Sequence, residues 1–123
     1  MKTNVSFEHF IEGLSAPKLK IIESKGLQME AEIEELSKEL EQVVMEGHCQ
    51  DESIHVKVSG KHHVLEISID PTRPELTQDR FALCSQVAEA VNDAIYKIEL
   101  IKEKEISAIK YRYRGEVIEK LGL

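Results

Sequence analysis

Two neighbouring segments with apolar residues at every second position constrain the fold of this chain most. They are residues 54–59 and 65–70. A period of two predicts β-strands that have one buried and one solvated face. The intervening Ser59-Gly60-Lys61 predicts a tight hairpin turn, because glycine tolerates the positive φ that such turns require. Pro71 has no backbone N–H to donate, so it is expected to end the second strand.

A regular seam predicts a long helix before this hairpin. The helix is expected to begin at Ser15, which can act as an N-cap, with Pro17 in its first turn. The seam positions then follow at alternating steps of three and four residues: Leu19, Ile22, Gly26, Met29, Ile33, Leu36, Leu40 and Val43. Such a 3.5-residue repeat is typical of a helix that packs along a partner helix. The opposite face is rich in glutamate and is interpreted as solvated.

The remaining sequence predicts one more strand and one more helix. A strand near Val43–His48, paired with residues 54–59, would complete a three-stranded antiparallel meander. Thr77 is expected to cap a second helix that ends at about residues 108–111, with Gly115 as a stop signal. Its seam comprises Phe81, Cys84, Val87, Val91, Ala94, Ile98, Ile101 and Ala108. The predicted class is therefore α+β, an α-β-β-β-α protomer with two long helices.

Length and composition limit the functions that are available. The 123 residues suit one domain, or one whose core is completed by a second copy. No apolar run approaches the roughly 18–20 residues needed to span a bilayer, and no signal-peptide core is recognisable, so a cytoplasmic location is expected. Cys49 and Cys84 are expected to be free thiols, with Cys84 buried. The net charge of −7 argues against general polyanion binding unless positive charge is gathered locally.

Candidate metal ligands are present, but their spacing is not diagnostic. They are His48, Cys49, His55, His62 and His63. No pair of them has the ligand spacing of a zinc site, and neither a Ser-His-acid set nor a glycine-rich phosphate loop is recognisable. We therefore expect no metal, no other cofactor and no enzymatic activity. Asn92-Asp93, within the second helix, predicts a local structural contact.

The densest positive charge lies near the end of the second helix. Lys110-Tyr111-Arg112-Tyr113-Arg114 carries three cations and no acid. Lysine and arginine neutralise phosphates, and tyrosine can stack or hydrogen-bond, which favours nucleic-acid binding. Cations near a helix C-terminus are also favoured by the helix dipole alone. The residues by themselves leave both interpretations open.

Three motifs in register resemble the YbaB/EbfC family of bacterial nucleoid-associated proteins. They are Val56-Lys57-Val58-Ser59-Gly60, the Ile-Asp-Pro ending of Leu65–Pro71, and Val87–Ala94 in the second helix. Their order and spacing agree from about residue 47 to residue 104. The resemblance implies an α-β-β-β-α protomer and a tweezer-like homodimer, in which paired sheets form a base and helices project from it. It also implies binding of double-stranded DNA and a role in nucleoid organisation or gene regulation.

The resulting hypothesis assigns residues to two surfaces. Phosphate contacts are expected from the start of the first helix and the end of the second: Lys18, Lys20, Lys25, Lys102, Lys104, Lys110, Arg112 and Arg114. The dimer interface is expected to use seam residues Ile22, Met29, Ile33, Leu36, Leu40, Val87, Val91 and Ile98. The domain would span residues 15–112, between an N-terminal extension, 1–14, and a C-terminal tail, 113–123. Neither a membrane nor a small-molecule substrate is expected as a partner.

A protein-binding function is the alternative. A small, acidic, dimeric α/β protein can act as an adaptor or chaperone that binds other proteins through its acidic helix and apolar grooves, without binding DNA. The two hypotheses differ in whether the local positive charge or the global negative charge decides the partner.

Overall fold

The computed structural model describes residues 13–122, in which a helix is followed along the chain by a three-stranded antiparallel sheet and then by a second, longer helix. The elements are α1 (Ala16–Leu40), β1 (Val44–His48), β2 (Ile54–Ser59), β3 (Val64–Ile69), a 3₁₀ turn (Pro74–Thr77) and α2 (Arg80–Leu121). The predicted α-β-β-β-α order and the meander are both confirmed. The predicted N-terminal extension, 1–14, lies almost entirely outside the described residues.

The chain divides into two compact units. The helical unit comprises the described residues up to 34 together with those from 106 onward, so it contains parts of both helices. The sheet unit comprises residues 35–105, with all three strands and the first part of α2. Each unit has its own packing and is described by itself.

The core of the sheet unit lies between β2 and α2. β2 is the central strand, and its alternating residues Ile54, Val56 and Val58 are at most 1% exposed. On α2, Ala90 and Ala94 are fully buried against the same cluster. Small residues at two positions one helical turn apart let the helix axis approach the sheet closely. The period-two pattern thus predicted the buried face of this strand correctly.

Two glycines permit close approaches of the backbone. A Cβ on Gly47 of β1 would lie 2.2 Å from the carbonyl oxygen of Ala90 on α2. A Cβ on Gly60 would lie 1.7 Å from the carbonyl oxygen of Leu40, at the end of α1. The expected reason for Gly60 was wrong, because the positive φ in this turn belongs to His62, with φ of 67°. Gly60 is required for space instead.

The edge strand β3 does not have the buried face that its pattern predicts within one chain. Ile67 and Ile69 pair with Val56 and Ile54, so they lie on the core-facing side of the sheet. They are nevertheless 48% and 37% exposed, and every residue of β3 is exposed. The described residues of one protomer therefore leave the apolar face of β3 uncovered.

Both ends of α2 differ from the sequence-based expectation. The cap was predicted at Thr77, but the helix begins at Arg80, and the Asp79 carboxylate accepts the backbone N–H groups of Phe81 and Ala82 at 3.1 and 3.2 Å. Gly115 does not stop the helix, which continues to Leu121. Glycine costs a helix only about 1 kcal/mol relative to alanine, and contacts with α1 in the helical unit offset that cost. Residues 113–121 are therefore helical.

The predicted burial of Cys84 was also wrong. Cys84 is exposed, whereas Cys49 is buried at 1% exposure. Phe81, on the same predicted seam, is 90% exposed. Farther along the seam, Val87 and Val91 are partly buried against the core of the sheet unit, and Ala94 and Ile98 are buried within it.

Candidate nucleic-acid interface

In the helical unit, α1 and the end of α2 run antiparallel and are joined by ion pairs. Lys25 of α1 pairs with Glu116 of α2 at 3.3 Å, and Glu32, two turns further along α1, pairs with Arg112. The residue number rises along α1 as it falls along α2, which defines the antiparallel arrangement. This pairing fixes which faces of the two helices meet.

Glu32 is the central acceptor between these two helices. Its Oε2 accepts hydrogen bonds from the Arg112 guanidinium and, at 2.7 Å, from the Tyr113 hydroxyl. The hydrogen bond from Arg112, followed by that from Tyr113, holds the pKa of Glu32 below its usual value. The Tyr113 bond to Glu32 in turn raises the pKa of the Tyr113 hydroxyl. The Arg112 guanidinium also lies 4.9 Å from the centroid of the Tyr113 ring.

Two of the predicted phosphate-binding residues are thus engaged within the protomer. The Lys25 side chain is only 17% exposed, because it pairs with Glu116 and lies 5.9 Å from the Tyr113 ring centroid. Arg112 is paired with Glu32 and lies 3.9 Å from Glu116. Releasing either cation to a phosphate would break these contacts.

Lys110 and Arg114 are placed differently. They lie one helical turn apart, both are exposed, and no carboxylate among residues 13–122 forms an ion pair with either of them. The Arg114 guanidinium lies 5.2 Å from the centroid of the Tyr111 ring. Positions i and i+4 share one face of a helix. These two cations therefore present charge together, and binding a phosphate would not break an ion pair with any described residue.

Lys110 and Arg114 border a groove between the two helices of the helical unit, called here the interhelix groove. It has a volume of about 370 Å³. Its lining residues are Ile22, Lys25, Gly26 and Met29 from α1 and Lys110, Tyr113, Arg114, Val117, Ile118 and Leu121 from α2. Both sets follow helical spacing of three and four residues. The floor is apolar, and the positive charges lie along its border.

Charge is distributed unevenly between the two units. The described part of the helical unit contains seven Lys or Arg residues and six Glu residues, a net charge of +1. The sheet unit contains eight Lys or Arg residues and fifteen Asp or Glu residues, a net charge of −7. The negative charge of the chain therefore resides in the sheet unit, whereas residues 1–34 and 106–123 together contain eight Lys or Arg residues and eight Glu residues and carry no net charge.

The other predicted phosphate-binding residues are not among those that line the groove. Lys18 and Lys20 are in the first turns of α1, with Lys20 the more exposed. Lys102 and Lys104 are exposed on the part of α2 that belongs to the sheet unit. The sequence-based list missed Tyr113 and Glu32. The sequence contained a signal for Tyr113, which lies at helical spacing from Lys110 and Val117. The prediction that residues 113–123 form a tail led away from that helical spacing.

The predicted interface residues are distributed over both units. Ile22 and Met29 line the interhelix groove, and Ile33, Leu36 and Leu40 are half-buried along α1. On α2, Val87 and Val91 border the core of the sheet unit, and Ile98 is only 5% exposed within that core.

Side chains of α2 cover the outer edge of β1. They lie at intervals of four residues and bind successive outward-facing backbone groups of the strand and the turn that follows it. The Glu89 carboxylate accepts the N–H of Gln50 at 2.7 Å, the Asp93 carboxylate accepts the N–H of His48 at 3.0 Å, and Lys97 donates to the carbonyl oxygen of Glu46 at 3.3 Å. A further strand could pair with these backbone groups only by breaking the bonds to α2. The predicted structural contact of Asp93 is confirmed.

Three of the candidate metal ligands, His55, His62 and Cys49, take part in other contacts. His55 lies 3.2 Å from a Glu46 carboxylate oxygen, and His62 lies 2.9 Å from one of Glu99. The Cys49 thiol donates to Asp51 at 3.0 Å. Among residues 13–122, no group of three or more His, Cys, Asp or Glu side chains is arranged to hold a metal ion.

The family model described as the YbaB/EbfC DNA-binding family matches residues 21–111. This chain belongs to the YbaB/EbfC DNA-binding family. The match extends over most of α1, the whole sheet and α2 up to the first residues of the basic run, and it confirms the resemblance drawn from the three motifs. Within residues 13–122, neither helix of this family member is apolar enough over sufficient length to cross a membrane.

Individual relatives agree with this membership in the YbaB/EbfC family. A nucleoid-associated protein of Legionella pneumophila (strain Corby) is 33% identical over 81 residues, covering 66% of this chain and 70% of the relative. A nucleoid-associated protein of Ligilactobacillus salivarius is 32% identical, covering 61% of this chain and 81% of the relative. The crystal structure of an uncharacterized Helicobacter pylori protein superposes with a TM-score of 0.51 at 18% identity. It covers 63% of this chain and 88% of that protein, and it supports the fold alone.

Proposed function

We propose that this family member binds double-stranded DNA as a homodimer, through the helical unit, and that it is a cytoplasmic protein associated with the nucleoid. It acts without a cofactor and without a small-molecule substrate. Its DNA contacts are made to the phosphate backbone, which makes binding nearly independent of sequence. A role in nucleoid organisation or gene regulation follows from such binding.

The placement of Lys110 and Arg114 supports this proposal most directly. They form a pair of exposed cations on one face of α2, and no carboxylate of the described residues neutralises them. They belong to the helical unit, which lacks the net negative charge of the sheet unit. Of the eight predicted phosphate-binding residues, Lys25 and Arg112 contribute less, since binding DNA would cost them existing ion pairs.

The proposed homodimer is supported by the two edges of the sheet. The β1 edge is covered by side chains of α2, whereas β3 is an edge strand in which every residue is exposed. Ile67 and Ile69 continue the apolar face of the core beyond the surface that α2 covers. Burying apolar surface contributes about 25 cal/mol per Å². We therefore assign β3 to the interface, together with the predicted seam residues that the protomer leaves partly exposed.

Fluorescence anisotropy with labelled duplexes of unrelated sequence tests the proposal. The wild-type protein should bind all of them with similar affinity at low salt, and the logarithm of its affinity should fall linearly with the logarithm of salt concentration. A protein that binds no duplex even at low salt would contradict DNA binding and leave the adaptor hypothesis, in which the acidic surface binds other proteins.

A further inference from the structure

The interhelix groove contains an open space at Gly26 of α1. Among residues 13–122, a Cβ added to Gly26 would meet no side chain within 4 Å, nor any backbone beyond its own turns of α1. Glycine destabilises a helix interior relative to alanine, and no close approach of the described residues to Gly26 offsets that loss. The neighbouring lining residues Ile22, Met29 and Ile118 are apolar and at least partly exposed. The space is therefore suited to an apolar side chain that enters from outside the helical unit.

Two unpaired cations lie at the border of the same groove. Lys110 and Arg114 are exposed there, and no carboxylate among residues 13–122 forms an ion pair with either of them. Complementary charge favours and orients the association of protein surfaces. An occupant that fits the groove therefore presents an apolar side chain with acidic residues close to it.

An exposed strip of α1 has these properties. Leu27, at its centre, is 68% exposed. Glu23 lies four residues before it and Glu30 three residues after it, so the three side chains share one face of the helix. Both glutamates are exposed, and no Lys or Arg of the described residues forms an ion pair with them. These three residues are called here the acidic strip.

The acidic strip and the groove of one copy lie on different faces of α1. Gly26 lines the groove, and Leu27 follows it directly, at an angle of roughly 100° around the helix axis. The helix is continuous from Ala16 to Leu40, so the strip cannot turn into the groove of its own chain. A second copy is therefore the occupant that supplies the complementary surface.

We propose that the acidic strip of one copy docks in the interhelix groove of another copy. Leu27 enters the space at Gly26, and the two carboxylates of the strip lie beside the two cations of the groove border. All of these residues belong to the helical unit, so the contact is additional to the β3 interface of the proposed homodimer. Exposed ion pairs contribute little stability and are screened by salt. The contact therefore joins homodimers at high protein concentration and low salt, and these stay separate at low micromolar concentration.

DNA and the acidic strip then compete for the same two cations. Lys110 and Arg114 are the residues that contribute most to the proposed phosphate contacts, and a strip docked beside them occupies their charges. Binding of duplex DNA should therefore release one copy from the other. This consequence rests on the proposed function, whereas the contact between copies does not.

Disulfide trapping between two chains tests the contact without DNA. In a Cys84→Ser background, which removes the exposed native thiol and leaves the buried Cys49, a tagged Leu27→Cys chain is mixed with an Ile118→Cys chain. Cysteine keeps a small apolar side chain at both positions. The matched control uses Glu119→Cys as the second chain, because Glu119 is exposed on α2 and does not line the groove. At low salt the first mixture should form the mixed disulfide roughly tenfold faster or more, and equal rates would overturn the proposal.

Filling the groove tests the role of Gly26. Gly26→Leu in the Ile118→Cys chain should slow trapping to the rate of the control mixture, because the new side chain occupies the space for Leu27. Gly115→Leu is the matched control, since Gly115 is the other glycine of the helical unit whose added Cβ meets nothing within 4 Å, and it does not line the groove. Leucine favours the helix at both positions, so both variants should fold. Equal trapping rates in the two variants would overturn the docking at Gly26.

Charge reversal separates a specific contact from a general effect of net charge. Glu23→Lys with Glu30→Lys in the first chain should slow trapping several-fold, because like charges then face each other. Lys110→Glu with Arg114→Glu in the second chain should restore the rate, since the two surfaces are complementary again with their signs exchanged. The summed charge of the two chains is then the original one. Failure of the second reversal to restore the rate would overturn the proposed pairing.

The competition with DNA is tested by adding duplex DNA to the first mixture. Trapping should slow several-fold at DNA concentrations that saturate binding, as measured by anisotropy on the same sample. An unchanged rate at saturation would overturn the competition. A protein without DNA affinity would contradict the proposed function, while the trapping rates measured without DNA would still decide the contact between copies.

Discussion

The carboxylate of Asp93 accepts a hydrogen bond at 3.0 Å from the backbone N–H of His48, on the outer edge of β1. The same carboxylate pairs with Lys97 at 3.0 Å, and Lys97 in turn binds the carbonyl oxygen of Glu46. Side chains on one face of α2 thus bind backbone groups of β1 that a neighbouring strand would otherwise bind. This relationship explains an aspartate in the middle of a helix, where it is a poor helix former.

Replacing Asp93 with alanine should destabilise the protein by about 1–3 kcal/mol, because the His48 N–H loses its acceptor. Chemical denaturation followed by circular dichroism measures this loss. Asn92→Ala is the matched control, since Asn92 is the exposed neighbour on the same helix. Equal stability of the two variants would show that water replaces the carboxylate without cost.

The stabilisation by Asp93 should depend on pH. The hydrogen bond from His48, followed by that from Lys97, lowers the pKa of Asp93 in the folded state. A depressed carboxyl pKa contributes stability that is fully present above the unfolded value, about 3.9, and is lost as the pH falls through the folded value. The stability difference between wild type and Asp93→Asn should therefore shrink below about pH 4. A difference that stays constant down to acid unfolding would contradict the assignment.

Gly60→Ala should destabilise the sheet unit by at least about 2 kcal/mol, because the new Cβ would collide with the Leu40 backbone. Gly115→Ala makes the same chemical change within α2, where nothing lies within 4 Å of the added Cβ. It should stabilise the protein by about 1 kcal/mol, since alanine favours the helix. Thermal unfolding of the two variants gives opposite shifts. A lower melting temperature for Gly115→Ala would contradict the continuous helix through this residue.

Light scattering at low micromolar concentration should give twice the chain mass of 14.0 kDa for the wild type. Ile67→Asp should reduce it to the monomer mass, because a carboxylate would be buried in the proposed β3 interface. Ser68→Asp is the control, because Ser68 lies on the opposite face of the same strand. A wild-type monomer would refute the homodimer, and an unaffected Ile67→Asp dimer would move the interface away from β3.

Lys110→Gln combined with Arg114→Gln should weaken DNA binding about equally for every duplex. The salt slope of log affinity should become shallower by roughly 0.9 for each phosphate that the variant no longer neutralises. Arg112→Gln should have a smaller effect on the slope, because Arg112 is already paired with Glu32. If only Arg112→Gln changes the slope, its ion pair must open on binding, and the roles of the three residues are reversed.

Local sequence patterns were sufficient for the elements and their order. The period-two pattern around Val56 and the heptad-like seam of α1 each reflect a backbone geometry that repeats within one element. Three motifs also identified the family, because their order and spacing can be read directly along the sequence. The buried face of β2 also followed from its period-two pattern. The structural role of Asp93 followed from its position within a helix, which aspartate does not favour.

The tertiary structure alone decided the features that depend on residues far apart in the chain. Gly115 does not end α2, because the last turns pack against α1 through pairs such as Lys25–Glu116. Gly60 is required by the position of Leu40, and not by the dihedral angle of its own turn. In the basic run, Arg112 is neutralised by Glu32, whereas the two cations that flank it have no carboxylate partner among residues 13–122. That distinction comes from a residue 80 positions away along the chain, and no local pattern contains it.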